Sequence, residues 1–95
     1  MKTKVEIDPQ VASFLRSLAP EPRKQVRASL RGLEEERGDL KLLEDELSGF
    51  SRLRVGHYRI IVQFYSKAGQ QVARCVYAER RSVVYELFAE LLGGV

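Results

Sequence analysis

Most of the residues in this chain that could carry chemistry are cations, and they gather in its second half. Arg52 and Arg54 stand two apart in a stretch that alternates charged and apolar residues, Arg52-Leu53-Arg54-Val55. A period of two puts both arginines on one face of a strand and Leu53 and Val55 on the other. Arg59 lies just past a tight turn on the adjacent strand, within reach of the same edge. Arg80 and Arg81 follow the last strand pattern, and Tyr85 opens the last helical one. Five guanidiniums and a phenol where strand ends meet a helix start would form a positive, concave surface. Such a surface suits a polyanion, because guanidinium stays charged and grips phosphate oxygens in pairs. The same spacing equally fits a solvated sheet face whose arginines pair with Glu79, Glu86 and Glu90. Spacing alone does not separate the two.

Other chemistries find little material. His57, the only histidine, falls in a turn, and Cys75 sits mid-strand as a small core residue rather than a nucleophile. There is no CxxC, no HExxH, no Asp-rich loop, no GxGxxG and no GxxxxGK[ST], so neither a metal nor a cofactor is expected. Residues 1–47 hold nine Lys/Arg against ten Asp/Glu, and residues 48–95 hold seven against three. The net charge of +3 therefore arises in the second half, where an anionic partner should bind.

With 95 residues, 44% hydrophobic and 31% charged, the chain reads as one globular domain, 1–95. No apolar run approaches the length of a membrane span. The first residues, MKTKVEIDPQ, reach acidic positions before any apolar run of an export signal. A lone cysteine cannot form an internal disulfide. Together these predict a cytoplasmic protein with no membrane partner.

The elements that must hold the arginines follow from periodicity. Lys4–Ile7 reads as a strand. Asp8 then caps a helix with Pro9 at its first position, and Val11, Phe14, Leu15 and Leu18 recur on its buried face. Ala19-Pro20-Glu21-Pro22 breaks it. A second helix runs from about Pro22 to Arg37, with Val26, Leu30 and Leu33 inward and Gly38 as C-cap, giving an antiparallel helical hairpin. Asp39–Gly49 reads as a connector with one helical turn. Strands follow at Arg52–Val55, Tyr58–Tyr65 and Gln71–Tyr77, joined by turns at Gly56-His57 and Ser66–Gly69. Val84, Leu87, Phe88, Leu91 and Leu92 mark a last helix ending at Gly93-Gly94. The expected order is β-α-α-β-β-β-α, an α+β fold with the hairpin beside a small, mostly antiparallel sheet.

Two blocks of the sequence, LSGFSRLRVGHYRIIVQF and AERRSVVYELFAELL, resemble the RelE/ParE toxin superfamily. Its members carry a stretch of the form L-x-G … R-x-G-x-Y-R leading into a strand, then a basic pair and a tyrosine. The resemblance spans essentially the whole chain. It implies the toxin of a bacterial toxin–antitoxin pair, partnered by a cognate antitoxin that covers its apolar grooves and the last helix. RelE-like members are endoribonucleases, mRNA interferases that stop translation by cutting mRNA in the ribosomal A site without a metal. ParE-like members bind DNA gyrase instead.

The resemblance assigns Arg59 to the key phosphate-binding arginine, Arg80 or Arg81 to the second catalytic arginine, and Tyr85 to the C-terminal tyrosine. Arg52 takes the place of an active-site lysine and Arg54 a commonly basic position; His57 is an RNA-contact candidate beside them. The chain departs from the pattern in three places. Phe50 replaces another lysine, Glu79 stands where many relatives have histidine, and Arg52 cannot readily give up a proton. In such a reaction the 2′-OH attacks the adjacent phosphorus, leaving a 2′,3′-cyclic phosphate and a 5′-OH. It needs a base, an acid and cations for the phosphoryl charge. The implied roles are Tyr85 as base, its phenolate favoured by nearby arginines, Arg59 and Arg80 at the phosphoryl oxygens, and Arg52 and Arg54 positioning phosphates.

Overall fold

The structure, a computed structural model, describes residues 2–93. Strand β1 (Lys4–Ile7) leads into helix α1 (Pro9–Ser17), as the sequence indicated. Asp8 occupies the N-cap position, and its carbonyl accepts from the Val11 and Ala12 N–H groups at 3.0 and 3.2 Å. Its carboxylate does not cap the helix. It accepts instead from Arg74 Nε and Nη2 at 2.9 and 3.1 Å. The strand carrying Arg74 pairs with β1 and brings a bidentate cation within reach, a stronger partner than a neutral helix N–H.

Helix α2 (Pro20–Gly32) starts two residues before Pro22, because Pro20 takes the first helical turn just as Pro9 does in α1. It also stops five residues before Arg37. A 3₁₀ turn, Leu33–Glu35, follows, and Glu36 enters the left-handed region at φ 56°. Val26, Leu30 and Leu33 still face inward. Gly38 is therefore not the C-cap. At φ 131°, a Cβ there would lie 2.7 Å from Leu53 Cδ1, so its role is to let the backbone pass close to the sheet. Arg23 ties the hairpin together by donating to the carbonyls of Leu15, Arg16 and Leu18 at 3.0, 3.3 and 2.7 Å, which satisfies the end of α1.

The stretch read as a connector opens with a four-residue strand, β2 (Asp39–Leu42), followed by a 3₁₀ turn at Asp45–Leu47. Beyond it run β3 (Ser51–Val55), β4 (Tyr58–Lys67) and β5 (Gln70–Arg80). β4 and β5 are longer than expected because Ala68 and Gly69, at φ 51° and 78°, make a tight two-residue hairpin turn. The sheet order is β1-β5-β4-β3-β2, with β1 parallel to β5 and every other pairing antiparallel. The order of elements gains one strand, while the α+β class and helical hairpin stand as expected.

Both faces of this sheet are used. On one, Leu53, Val55, Ile60, Val62, Ala73, Cys75 and Ala78 pack under α1 and α2. Cys75 and Ala78 share that face although three apart, because the register shifts between Ile61 and Val62 and leaves Val76 as the extra residue of a bulge. Helix α3 (Val84–Leu92) lies on the other face, held by buried Val84 and Phe88 over Ile61. The Phe88 ring meets Phe50 edge-on at 5.0 Å and Tyr77 at 5.8 Å. Leu91 and Leu92 stay exposed, and the expected helix end reaches Gly94, which lies outside the described residues. No helix among the described residues is long and apolar enough to cross a membrane.

Candidate nucleic-acid interface

Strand pairing decides which arginines meet. Arg54 stands directly opposite Arg59 across β3 and β4, Asp39 opposite Arg54, and Glu79 opposite Arg59. Asp39, Arg54, Arg59 and Glu79 therefore form one row across four strands on the α3 face. The next row carries Lys41 opposite Arg52, then Ile61 and Tyr77. The register puts Arg52 and Arg54 on one face, as expected, and adds Arg59 to that face rather than only to its edge.

Their partners differ. Arg52 Nη1 donates to the Asp39 carbonyl at 2.8 Å and to its Oδ1 at 3.1 Å. Arg54 Nη1 lies 3.9 Å from Asp39 Oδ2, an ion pair without hydrogen-bond geometry. Arg59 is 9% exposed, and its Nη1 donates to the carbonyls of Gly56 and Tyr58, both at 2.9 Å. The guanidinium thus folds back under the β3–β4 turn, where Gly56 at φ 58° supplies the left-handed position that such a short turn needs. Among the described residues no carboxylate lies within ion-pair distance of Arg59; Glu79 Oε1 instead accepts from the Arg80 N–H at 3.0 Å. A nearly buried cation held by neutral carbonyls, with donors to spare, is primed for an anion.

Arg80, Arg81 and His57 lie beside this face rather than in it. They line a cleft of about 290 Å³ with Tyr58 and Ser82. Arg80 pairs with Tyr58, so its strand position belongs to the hairpin side of the sheet. The Arg81 N–H donates to the His57 carbonyl at 2.8 Å and ties the β3–β4 turn to the end of β5.

Tyr85 is elsewhere. Val84 and Phe88 must point into the sheet, so Tyr85, about 100° further round the helix, faces the segment after β2. It lines a cleft of about 300 Å³ with Glu44, Asp45, Glu46, Leu47, Glu86 and Ala89. No arginine borders that cleft. The expected ring of guanidiniums around the phenol is not assembled: its neighbours are carboxylates. Phe50 packs edge-on against Phe88 and brings no charge to the site.

Two residues of this face escaped sequence reasoning, Asp39 and Lys41, both on β2. The signal was present in Asp39-Leu40-Lys41-Leu42, which alternates with the same period as Arg52–Val55. Among the described residues no three His, Cys, Asp or Glu side chains come together to hold a metal ion.

No protein-family model and no curated protein matches this sequence. Solved structures do match. The toxin–antitoxin complex RelBE2 from Mycobacterium tuberculosis aligns at TM-score 0.70 and 24% identity, covering 85% of this chain and 100% of that one. The archaeal RelE–RelB complex from Pyrococcus horikoshii aligns at TM-score 0.64 and 26% identity, covering 85% and 97%. A YoeB/ParE toxin from Agrobacterium tumefaciens aligns at TM-score 0.67 with 10% identity, covering 83% and 99%. The chain has the fold of the RelE/ParE toxin superfamily, the one its two motif blocks resemble.

Proposed function

We propose that this chain is the toxin of a toxin–antitoxin pair and acts on the phosphate backbone of mRNA at the ribosome as an endoribonuclease. The observation that carries the reading is Arg59, a nearly buried guanidinium with no carboxylate within ion-pair distance among the described residues, flanked by Arg54 and Arg52. Structural neighbours that are toxin–antitoxin complexes support the pairing with an antitoxin.

In this reading Arg59 takes the phosphoryl oxygens, where charge grows in the transition state. Arg54 and Arg52 hold the adjoining backbone on the same face. Arg80, on the hairpin side of the sheet, and Arg81 line a separate cleft at the end of β5 that can take a more distant stretch of the polyanion. The 2′-oxygen attacks phosphorus, the bond to the 5′-oxygen breaks, and the products are a 2′,3′-cyclic phosphate and a 5′-OH. A proton must leave the 2′-OH and another must reach the 5′-oxygen. His57 borders the cleft of Arg80 and Arg81, and its two ring nitrogens can accept and donate a proton. We assign it the proton transfer in place of Tyr85.

A second reading rests on the acidic surroundings of Tyr85 and the packing role of Phe50: a binder without turnover, or one directed at DNA gyrase. Inducing the chain in cells and mapping mRNA ends within ribosomes separates the two. Cuts inside translated codons, lost in Arg59→Ala and strongly reduced in His57→Gln, support the nuclease. Arrest with intact mRNA, or DNA breaks, supports the second reading.

A further inference from the structure

The carboxylate of Asp39 sits between two guanidiniums of the arginine face. Its Oδ1 accepts from Arg52 at 3.1 Å and its Oδ2 lies 3.9 Å from Arg54. Glu79, opposite Arg59, turns to the Arg80 N–H, so that among the described residues no carboxylate lies within ion-pair distance of Arg59. Carboxylate and phosphate oxygens compete for the same N–H edges of a guanidinium. We infer that Asp39 is a built-in competitor for the arginine face: it holds Arg52 and Arg54 until a polynucleotide displaces it, and it leaves Arg59 as the open seat. This inference rests on the proposed role of the arginine face in binding RNA.

Three features fit an anion that can be displaced. The Asp39 side chain is 54% exposed, so on release it returns to water rather than to a buried, unpaired state. Its backbone carbonyl also accepts from Arg52 at 2.8 Å, so Arg52 stays aimed after the carboxylate leaves. Asp39 opens a four-residue edge strand paired only with β3, where small shifts disturb little else. The consequence is selectivity. An isolated phosphate meets Arg59 alone, whereas a chain of phosphates forms enough ion pairs at once to replace Asp39 at the other two guanidiniums.

The test is RNA affinity against salt, with a labelled single-stranded RNA oligonucleotide followed by fluorescence anisotropy. Asp39→Asn should bind several-fold tighter than the parent chain, with a log–log salt slope steeper by about 0.7 for each additional phosphate neutralised. Asp39→Ser should act in the same direction through a side chain of different shape. Glu79→Gln removes an equal charge from the same row, but one not held by a guanidinium, and should tighten binding clearly less. Equal tightening in Asp39→Asn and Glu79→Gln, or none in Asp39→Asn while Arg59→Ala weakens binding, overturns the inference and leaves the arginine face intact. If Arg59→Ala binds RNA like the parent chain, the arginine-face reading fails and this inference fails with it.

Discussion

Arg54 and Arg59 stand directly opposite each other on neighbouring antiparallel strands, yet only Arg54 lies within ion-pair distance of a carboxylate among the described residues. Like charges facing across a ladder destabilise a sheet by a few tenths of a kcal/mol up to about 1 kcal/mol. The fold tolerates that cost because two backbone carbonyls hold Arg59 in place. A site that is electrostatically unfinished without a ligand is what an anion-binding surface requires.

Replacing Arg59 by Ala should lower RNA affinity about tenfold or more, in line with the loss of charge-assisted hydrogen bonds. Thermal stability should move little, because relieved repulsion with Arg54 offsets the lost bonds to Gly56 and Tyr58. Anisotropy and a thermal melt on the same variant check both halves. A large fall in melting temperature with unchanged affinity would make Arg59 structural.

Gly38→Ala should destabilise the fold by roughly 2–4 kcal/mol. The backbone at φ 131° disfavours a side chain, and the new Cβ would lie 2.7 Å from the Leu53 Cδ1 that fills the core. For a domain of this size the melting temperature should drop by about ten degrees or more. Urea unfolding of the variant checks the free energy.

Helix α3 is held chiefly by Val84 and Phe88, with Phe88 between Phe50 and Tyr77. Phe88→Ala should free that helix and leave the larger core beneath α1 and α2 intact. Hydrogen exchange should show lost protection in residues 84–92 and retained protection in β4 and β5. Uniform loss across the chain would mean that α3 is part of the global folding unit.

Burial pushes the Cys75 thiol up to about 12, with Asp8 adding to the effect. The folded chain therefore holds the proton that the unfolded chain gives up near pH 9. Stability contributed by the neutral thiol is intact below pH 9 and falls as pH rises toward 12. The thiol should resist a disulfide reagent at neutral pH until the protein unfolds. Rapid labelling of the native protein would contradict its place in the core.

Most of the scaffold was legible because its signals are local. Pro9 marks the start of α1, and the alternation from Arg52 to Val55 fixes one sheet face for Arg52 and Arg54. The start of α2 was set at Pro22 because two prolines stand close together, and the first, Pro20, takes the first turn. β2 was missed because four residues say little until β3 supplies the pairing. The end of α2 was misplaced because Gly38 looks like a helix cap, whereas its freedom serves the approach to Leu53. The position of Tyr85 could not be read at all. Helical spacing shows that Val84 and Phe88 share a face, but only the docked helix shows that the next residue turns toward Glu44–Glu46.

The most direct measurement observes the Arg59 guanidinium itself by side-chain nitrogen NMR while single-stranded RNA is added. Arg23 serves as an internal reference, because three carbonyls of the hairpin already hold it. If Arg59 takes the phosphates, its Nε resonance shifts and saturates with RNA while that of Arg23 stays in place. An Arg59 signal that does not move at saturating RNA contradicts that role.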